Sequence, residues 1–164
     1  MKNLNNVIFL LLLVAAIAVS CKDDDVDCCT IVDTTVIMKF VDENGVNLLN
    51  DIAEDGIEPA GIVLYYRVNG QWEEYFEANL DAPKGYLTTE ESGDAFFILY
   101  TDPGYSENNI TEIKIQFTED LSGILKAEFT RSGSNVTCTK VWYDDELKWD
   151  QSSQSERSFV VELR

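Results

Sequence analysis

The chain has 164 residues, of which 30 are acidic and 12 are basic, and its formal net charge is −18. This excess of negative charge argues against a nucleic-acid partner, because contacts to phosphates need a basic surface. The sequence contains no histidine, which excludes Ser-His and Cys-His nucleophile pairs and any metal site with histidine ligands.

The first twenty residues have the pattern of an export signal. Lys2 supplies a positive charge, and an uninterrupted apolar run follows from Val7 to Val19. A helix of that length spans roughly 20 Å, which is short of the roughly 30 Å hydrocarbon core of a membrane. A positive start, a short apolar segment and small residues before Cys21 are typical of a secretory signal peptide. We therefore predict that residues 1–20 are removed on export.

The sequence Val19-Ser20-Cys21 resembles the end of a bacterial lipobox, in which the cysteine is acylated and becomes the first mature residue. The family prefers leucine three positions before the cysteine, where this chain has Ala18. The resemblance implies a lipoprotein that carries acyl chains such as palmitate on Cys21, and stable anchoring needs more than one chain. The alternative is an ordinary signal peptide cut near Ser20, with Cys21 a plain thiol.

A lysine and three aspartates follow the cysteine directly: Lys22, Asp23, Asp24 and Asp25. This segment resembles the export tag of surface lipoproteins in the Bacteroidota. The resemblance implies a protein anchored in the outer membrane and exposed at the cell surface, rather than on the periplasmic face. The same residues suit a solvated tether, since a charged run cannot bury apolar surface. We assign residues 21–32 to the acylated cysteine and an acidic flexible tether, and residues 33–164 to one domain.

Three further cysteines are disulfide candidates: Cys28, Cys29 and Cys138. Exported proteins reach a compartment that favours disulfides. A bridge from Cys28 or Cys29 to Cys138 would close a loop of roughly 110 residues, whereas a bridge between the two adjacent cysteines would be strained. Adjacent cysteines also lack the gap typical of zinc ligands, and we expect no cofactor.

From residue 33 onward, apolar residues recur with a period of two, which is typical of half-buried strands. The Asn69-Gly70 pair gives the strongest hairpin signal. The nearly apolar segment 95–101 is expected to be a strand covered on both faces. Segment 80–94 is predicted to be a long connection, and segment 144–156 is acidic and rich in serine and glutamine. Strands are predicted at 34–41, 61–68, 71–77, 95–101, 110–117, 125–129, 136–143 and 158–163.

This pattern predicts an all-β fold, a single antiparallel β-sandwich of seven to nine strands. The domain resembles small Bacteroidota lipoproteins of unassigned function in its Cys-Cys-Thr opening at 28–30 and in Asp-Glu-Asn-Gly at 42–45 with Leu48-Leu49 after it. The resemblance implies an immunoglobulin-like or transthyretin-like sandwich and carries no activity with it.

Two groups of side chains are candidates for ligand binding. Trp72, Trp142 and Trp149 suit an exposed, sugar-stacking face, and packing in the core or at an edge is the alternative reading of each. Trp149 lies in a polar segment and is the one that we most expect to be exposed. Weak calcium candidates are Asp42, Asn44, Asp144 and Asp145, but their spacing does not fit an EF-hand, and we predict no metal site.

These features favour a lipid-anchored, non-catalytic binding or structural module of the cell envelope. The alternative is a carbohydrate- or calcium-binding accessory protein of nutrient uptake. A carboxylate-based hydrolase is a distant third, since thirty acidic residues place some pair at a suitable separation in any fold. The expected partners are the membrane, through the lipid on Cys21, and an envelope protein or a glycan.

Overall fold

The computed structural model describes residues 30–50 and 56–163, and Ile31–Arg164 form one compact unit. The predicted signal peptide, Cys21, the acidic tag from Lys22 to Asp25, and the cysteines at 28 and 29 lie outside the described residues. Within the described part of the chain, no helix is long and apolar enough to cross a membrane.

Eleven strands and two short 3₁₀ helices, Pro59–Gly61 and Pro103–Tyr105, are found among the described residues. The strands are β1 (Val32–Asp33), β2 (Thr35–Val41), β3 (Val63–Val68), β4 (Gln71–Glu74), β5 (Tyr86–Glu91), β6 (Asp94–Tyr100), β7 (Ile110–Gln116), β8 (Ser122–Ser132), β9 (Asn135–Tyr143), β10 (Glu146–Asp150) and β11 (Ser158–Glu162).

The strands form two sheets. The larger has seven strands in the order β4-β3-β7-β8-β9, and the outer edge of β9 pairs with both β1 and β10. The smaller has the order β11-β2-β6-β5. The predicted β-sandwich is confirmed, but the described residues form eleven strands rather than the seven to nine expected. The sheets are also mixed rather than purely antiparallel, because β1 runs parallel to β9 and β11 runs parallel to β2. Parallel neighbours need long connections, and both of these pairs join strands far apart in the sequence.

Alternating apolar residues of both sheets form the core. In β2 the inward residues are Val36, Met38 and Phe40, as their spacing predicts. The ring of Phe40 lies 4.8 Å from that of Phe117, which follows β7 of the opposite sheet, and 5.5 Å from that of Phe97 in the neighbouring strand β6. Each such side chain stabilises the fold by roughly 1.5–3 kcal/mol through burial.

The prediction that segment 80–94 is a connection was wrong, because it contains strand β5, and the acidic segment 144–156 contains strand β10, which was not predicted. Strand β5 pairs with β6 through Ser92-Gly93, and β10 pairs with β9 through Asp144-Asp145. Both turns use two successive residues of positive φ, as two-residue type I′ turns do. Strand β5 exposes every residue except Tyr86, so it shows no alternation, and Asp-Asp is a weaker turn signal than Asn-Gly.

Strand β6 is covered on one face only, contrary to the prediction for segment 95–101. Phe97 and Leu99 are fully buried between the sheets, whereas Phe96 and Ile98 are half-buried on the outer face. Apolar residues on both faces therefore reflect a partly apolar outer surface here, not a strand enclosed by two layers.

Candidate binding face

Outward residues of six neighbouring strands lie side by side across the seven-stranded sheet. Cross-strand register pairs Arg67 with Trp72, Glu112 with Lys126, Lys126 with Trp142, and Trp142 with Leu147. The one remaining pair of neighbours, Arg67 on β3 and Glu112 on β7, is joined by an ion pair. We call this set the tryptophan row: Trp72, Arg67, Glu112, Lys126, Trp142 and Leu147.

The charged members of the row neutralise one another. Arg67 Nη1 lies 2.6 Å from Glu112 Oε2, and Lys126 Nζ lies 3.9 Å from Glu112 Oε1. Lys126 also donates to Asp145 Oδ1 at 2.6 Å, and this hydrogen bond raises the pKa of the ammonium group. Two cations thus meet two carboxylates on a protein that is strongly acidic overall, which makes this face locally close to neutral.

A β-bulge places Trp142 on the outer face. Val136 and Cys138 point into the core, so strict alternation would bury Trp142 as well. The register shifts between Glu128 and Phe129 of the partner strand, and after the shift Val141 and Tyr143 are the inward residues. The inserted residue reverses the alternation, as bulges do, and Trp142 becomes half-buried on the outside of the sheet.

A second bulge buries Trp149, and the prediction that this residue is exposed was wrong. Leu147 pairs with Trp142 on the outer face, but the register shifts before Trp149, which pairs with the inward Val141. The Trp149 side chain is only 2% exposed. It is therefore a core residue and no candidate for contact with a ligand, whereas Trp72 and Trp142 remain candidates.

A small cavity opens at the Trp72 end of the tryptophan row. Its volume is about 280 Å³, and it shares Arg67 and Glu112 with the row. The guanidinium carbon of Arg67 lies 5.9 Å from the centre of the Trp72 ring. The other lining residues come from two turns and the start of β7: Gly70, Glu107, Asn108 and Ile110.

The turns hold this cavity in shape. Asn69 and Gly70 have φ values of +50° and +81°, the conformation that the Asn-Gly pair predicts. The backbone N–H of Asn69 donates to Glu107 Oε1 at 3.1 Å, which ties the β3–β4 turn to the segment before β7. No sequence pattern marks Glu107 or Asn108 as site residues, because only the order of strands in the sheet brings them beside Arg67.

Two of the weak calcium candidates, Asp42 and Asp144, already accept hydrogen bonds from backbone N–H groups. The backbone N–H groups of Asn44 and Val46 donate to Asp42 Oδ1 at 2.9 and 2.7 Å, and the hydrogen bond from Val46 is the main cause of the lowered pKa of Asp42. Asp144 Oδ1 accepts from the N–H of Ile124 at 2.7 Å. Among the described residues, no group of three or more acidic or cysteine side chains could hold a metal ion.

Two larger grooves have apolar floors that the sequence reading did not identify. One, of about 600 Å³, lies on the outer face of the four-stranded sheet over Ile37, Phe96 and Ile98. The other, of about 520 Å³, lies beside the exposed Phe76 and Leu87. The run of apolar residues on both faces of segment 95–101 was the signal that could have indicated the first.

The structure thus brings Trp72 and Trp142 into one row, removes Trp149 from it, and leaves the predicted lipidation and export residues outside its described range.

Comparison with protein-family models, curated proteins and solved structures finds no match to this chain.

Proposed function

We propose that this protein is a lipid-anchored, non-catalytic binding module of the bacterial cell envelope, and that the tryptophan row is its binding face. The anchoring part of the proposal rests on the likeness of Val19-Ser20-Cys21 to a lipobox. The binding part rests on one observation, the alignment of two tryptophans with a chain of ion pairs across one sheet face.

Stabilisation of the sheet is another explanation for this alignment of side chains. Cross-strand pairs of opposite charge and of aromatic residues stabilise sheets by roughly 0.2–1 kcal/mol each. Such stabilisation accounts for the ion pairs, but it does not require a half-buried indole on each side of the line of ion pairs. Trp72 and Trp142 lie four strand steps apart, roughly 19 Å at about 4.8 Å per step. An extended polar ligand can use both rings and the hydrogen-bonding groups between them.

The carbohydrate-binding form of this function is better supported than the calcium-binding form. Aromatic rings beside planar hydrogen-bonding side chains suit sugars. The weak calcium candidates Asp42 and Asp144, in contrast, already accept hydrogen bonds from backbone N–H groups.

Metabolic labelling with radioactive palmitate tests the anchor. We expect the full-length protein to incorporate label and to fractionate with membranes, and a Cys21→Ser variant to lose both properties. Cys28→Ser is the matched control and should keep the label. An unlabelled wild-type chain, or equal labelling of the Cys21→Ser variant, would contradict the lipoprotein proposal.

Protease shaving of intact cells tests surface exposure. We expect the wild-type protein to be digested on whole cells, and a variant with alanine at Asp23, Asp24 and Asp25 to be protected while still carrying the lipid. Protection of both proteins would place the module on the periplasmic side. The binding function would then concern ligands inside the envelope.

A further inference from the structure

We propose that the cavity at the Trp72 end of the row binds one ring of a neutral oligosaccharide. This inference names the ligand class of the proposed binding face and therefore rests on the proposed function. It is carried by the size, the hydrogen-bonding groups, the charge balance and the aromatic neighbour of one cavity.

The cavity fits a small ligand. Its volume of about 280 Å³ lies just below the range of roughly 300–1,000 Å³ that is usual for sites of drug-sized molecules. A single sugar ring is of the right order, while a nucleotide or a folded peptide segment would extend far outside it.

The polar groups that line the cavity include both donors and acceptors of hydrogen bonds, as sugar hydroxyls require. Arg67 presents planar N–H donors, the carboxylates of Glu107 and Glu112 accept, and the amide of Asn108 does both. A sugar hydroxyl is both donor and acceptor, so neighbouring hydroxyls on a ring can bridge these groups. Ile110 adds an apolar surface for the C–H groups of the ring.

The charged groups of the lining disfavour an anionic ligand. Arg67 is paired with Glu112, and Glu107 supplies a second carboxylate. An anionic ligand such as a phosphate would meet these two carboxylates against the one guanidinium group of Arg67. It gains no net attraction, whereas the hydroxyl groups of a neutral sugar can use the guanidinium donors and the carboxylate acceptors together.

Trp72 supplies the stacking surface beside the cavity. It lies opposite Arg67 in register on the edge strand β4 and is half-buried, with part of its ring in solvent. Indole rings pack against the C–H face of a sugar through dispersion and burial of apolar surface. A ring seated in the cavity would contact Arg67, and a second ring linked to it would extend toward the exposed part of Trp72.

Isothermal titration calorimetry on the full-length protein in detergent tests the proposal. The probes are maltose, cellobiose, xylobiose, mannobiose and lactose, with glucose 6-phosphate as the anionic comparison. We expect at least one neutral disaccharide to bind, with the anionic sugar binding more weakly. Trp72→Ala and Glu107→Gln should each weaken binding by roughly tenfold, the effect of about 1.4 kcal/mol.

Phe76→Ala is the matched control, because it removes an exposed aromatic side chain that lies outside both the cavity and the tryptophan row. Glu107→Gln keeps an acceptor oxygen for the N–H of Asn69, so it tests the site even if Trp72→Ala unfolds the edge strand. The proposal is overturned if no neutral disaccharide binds, if both site variants bind as well as wild type, or if Phe76→Ala weakens binding as much as they do.

The palmitate experiment separates this inference from the proposed function. A protein that carries the lipid but binds no probe would retain its anchored role and lose the sugar ligand. A protein that binds a disaccharide but carries no lipid would lose the anchor and keep the site.

Discussion

The guanidinium carbon of Arg157 lies 4.6 Å from the centre of the buried Trp149 ring. The same guanidinium group donates to both carboxylate oxygens of Asp33 at 2.9 and 3.1 Å. It also donates to the carbonyl oxygens of Thr35 and Cys138. One side chain thus joins β1, β2, β9 and β10, and explains why a tryptophan in a polar segment is buried.

Replacement of Arg157 should destabilise the domain. The side chain is only 9% exposed, and Arg157→Ala removes charge-assisted hydrogen bonds and the stacking contact together. We expect a loss of about 2–3 kcal/mol in the free energy of unfolding. Arg157→Lys keeps the charge but not the planar fork, and should fall between wild type and alanine. Urea unfolding followed by tryptophan fluorescence measures the effect, and an unchanged midpoint for Arg157→Ala would refute this role.

Acid should weaken the same junction. The hydrogen bonds from Arg157 hold the pKa of Asp33 below its ordinary value. A lowered folded-state pKa contributes stability above the unfolded value, near 3.9, and that contribution is lost as the pH falls through the folded value. We expect the urea concentration at the unfolding midpoint to decrease as the pH is lowered below about 4. The decrease should be less steep in the Asp33→Asn variant. Parallel curves for the two proteins would show that Asp33 is not a source of this dependence.

Sequence reasoning found the elements whose alternation is regular, such as β2 and β7, because one face is apolar and the other is not. It failed where alternation breaks. The bulges in β9 and β10 decide that Trp142 faces outward and Trp149 inward, and neither is marked by glycine or proline. The cavity could not be foreseen either, since Arg67 and Glu107 meet only through the non-local order of β3 and β7 in the sheet.

The hydroxyl group of Tyr143 should be dispensable for stability. It is buried without a hydrogen-bond partner, and burial raises its pKa. A buried unpaired hydroxyl costs roughly 1–3 kcal/mol, so Tyr143→Phe should be neutral or stabilising in thermal unfolding. A clear loss of stability would mean that the hydroxyl has a partner in solution.

Gly123 should tolerate no side chain, because it lies directly against the Tyr143 ring. A Cβ at this position would overlap the phenol group, and Gly123→Ala should cost about 1–3 kcal/mol through overpacking. Gly61→Ala is the matched control, since it has open space around it and no positive φ. Thermal unfolding compares the two, and equal midpoints would contradict the tight packing inferred here.

Cys138 should be unreactive in the folded domain. The thiol has no exposed surface, and burial raises its pKa to about 11. Since the thiolate is the reactive form, alkylation at pH 8 should be very slow in a Cys28→Ser/Cys29→Ser variant and should accelerate only as urea unfolds the protein. Fast alkylation without urea would show that the β9 edge opens readily.

In the wild-type chain, alkylation under denaturing, non-reducing conditions tests the predicted bridge from Cys28 or Cys29 to Cys138. If the bridge is present, Cys138 should stay unmodified until a reductant is added. Modification without reductant would rule the bridge out.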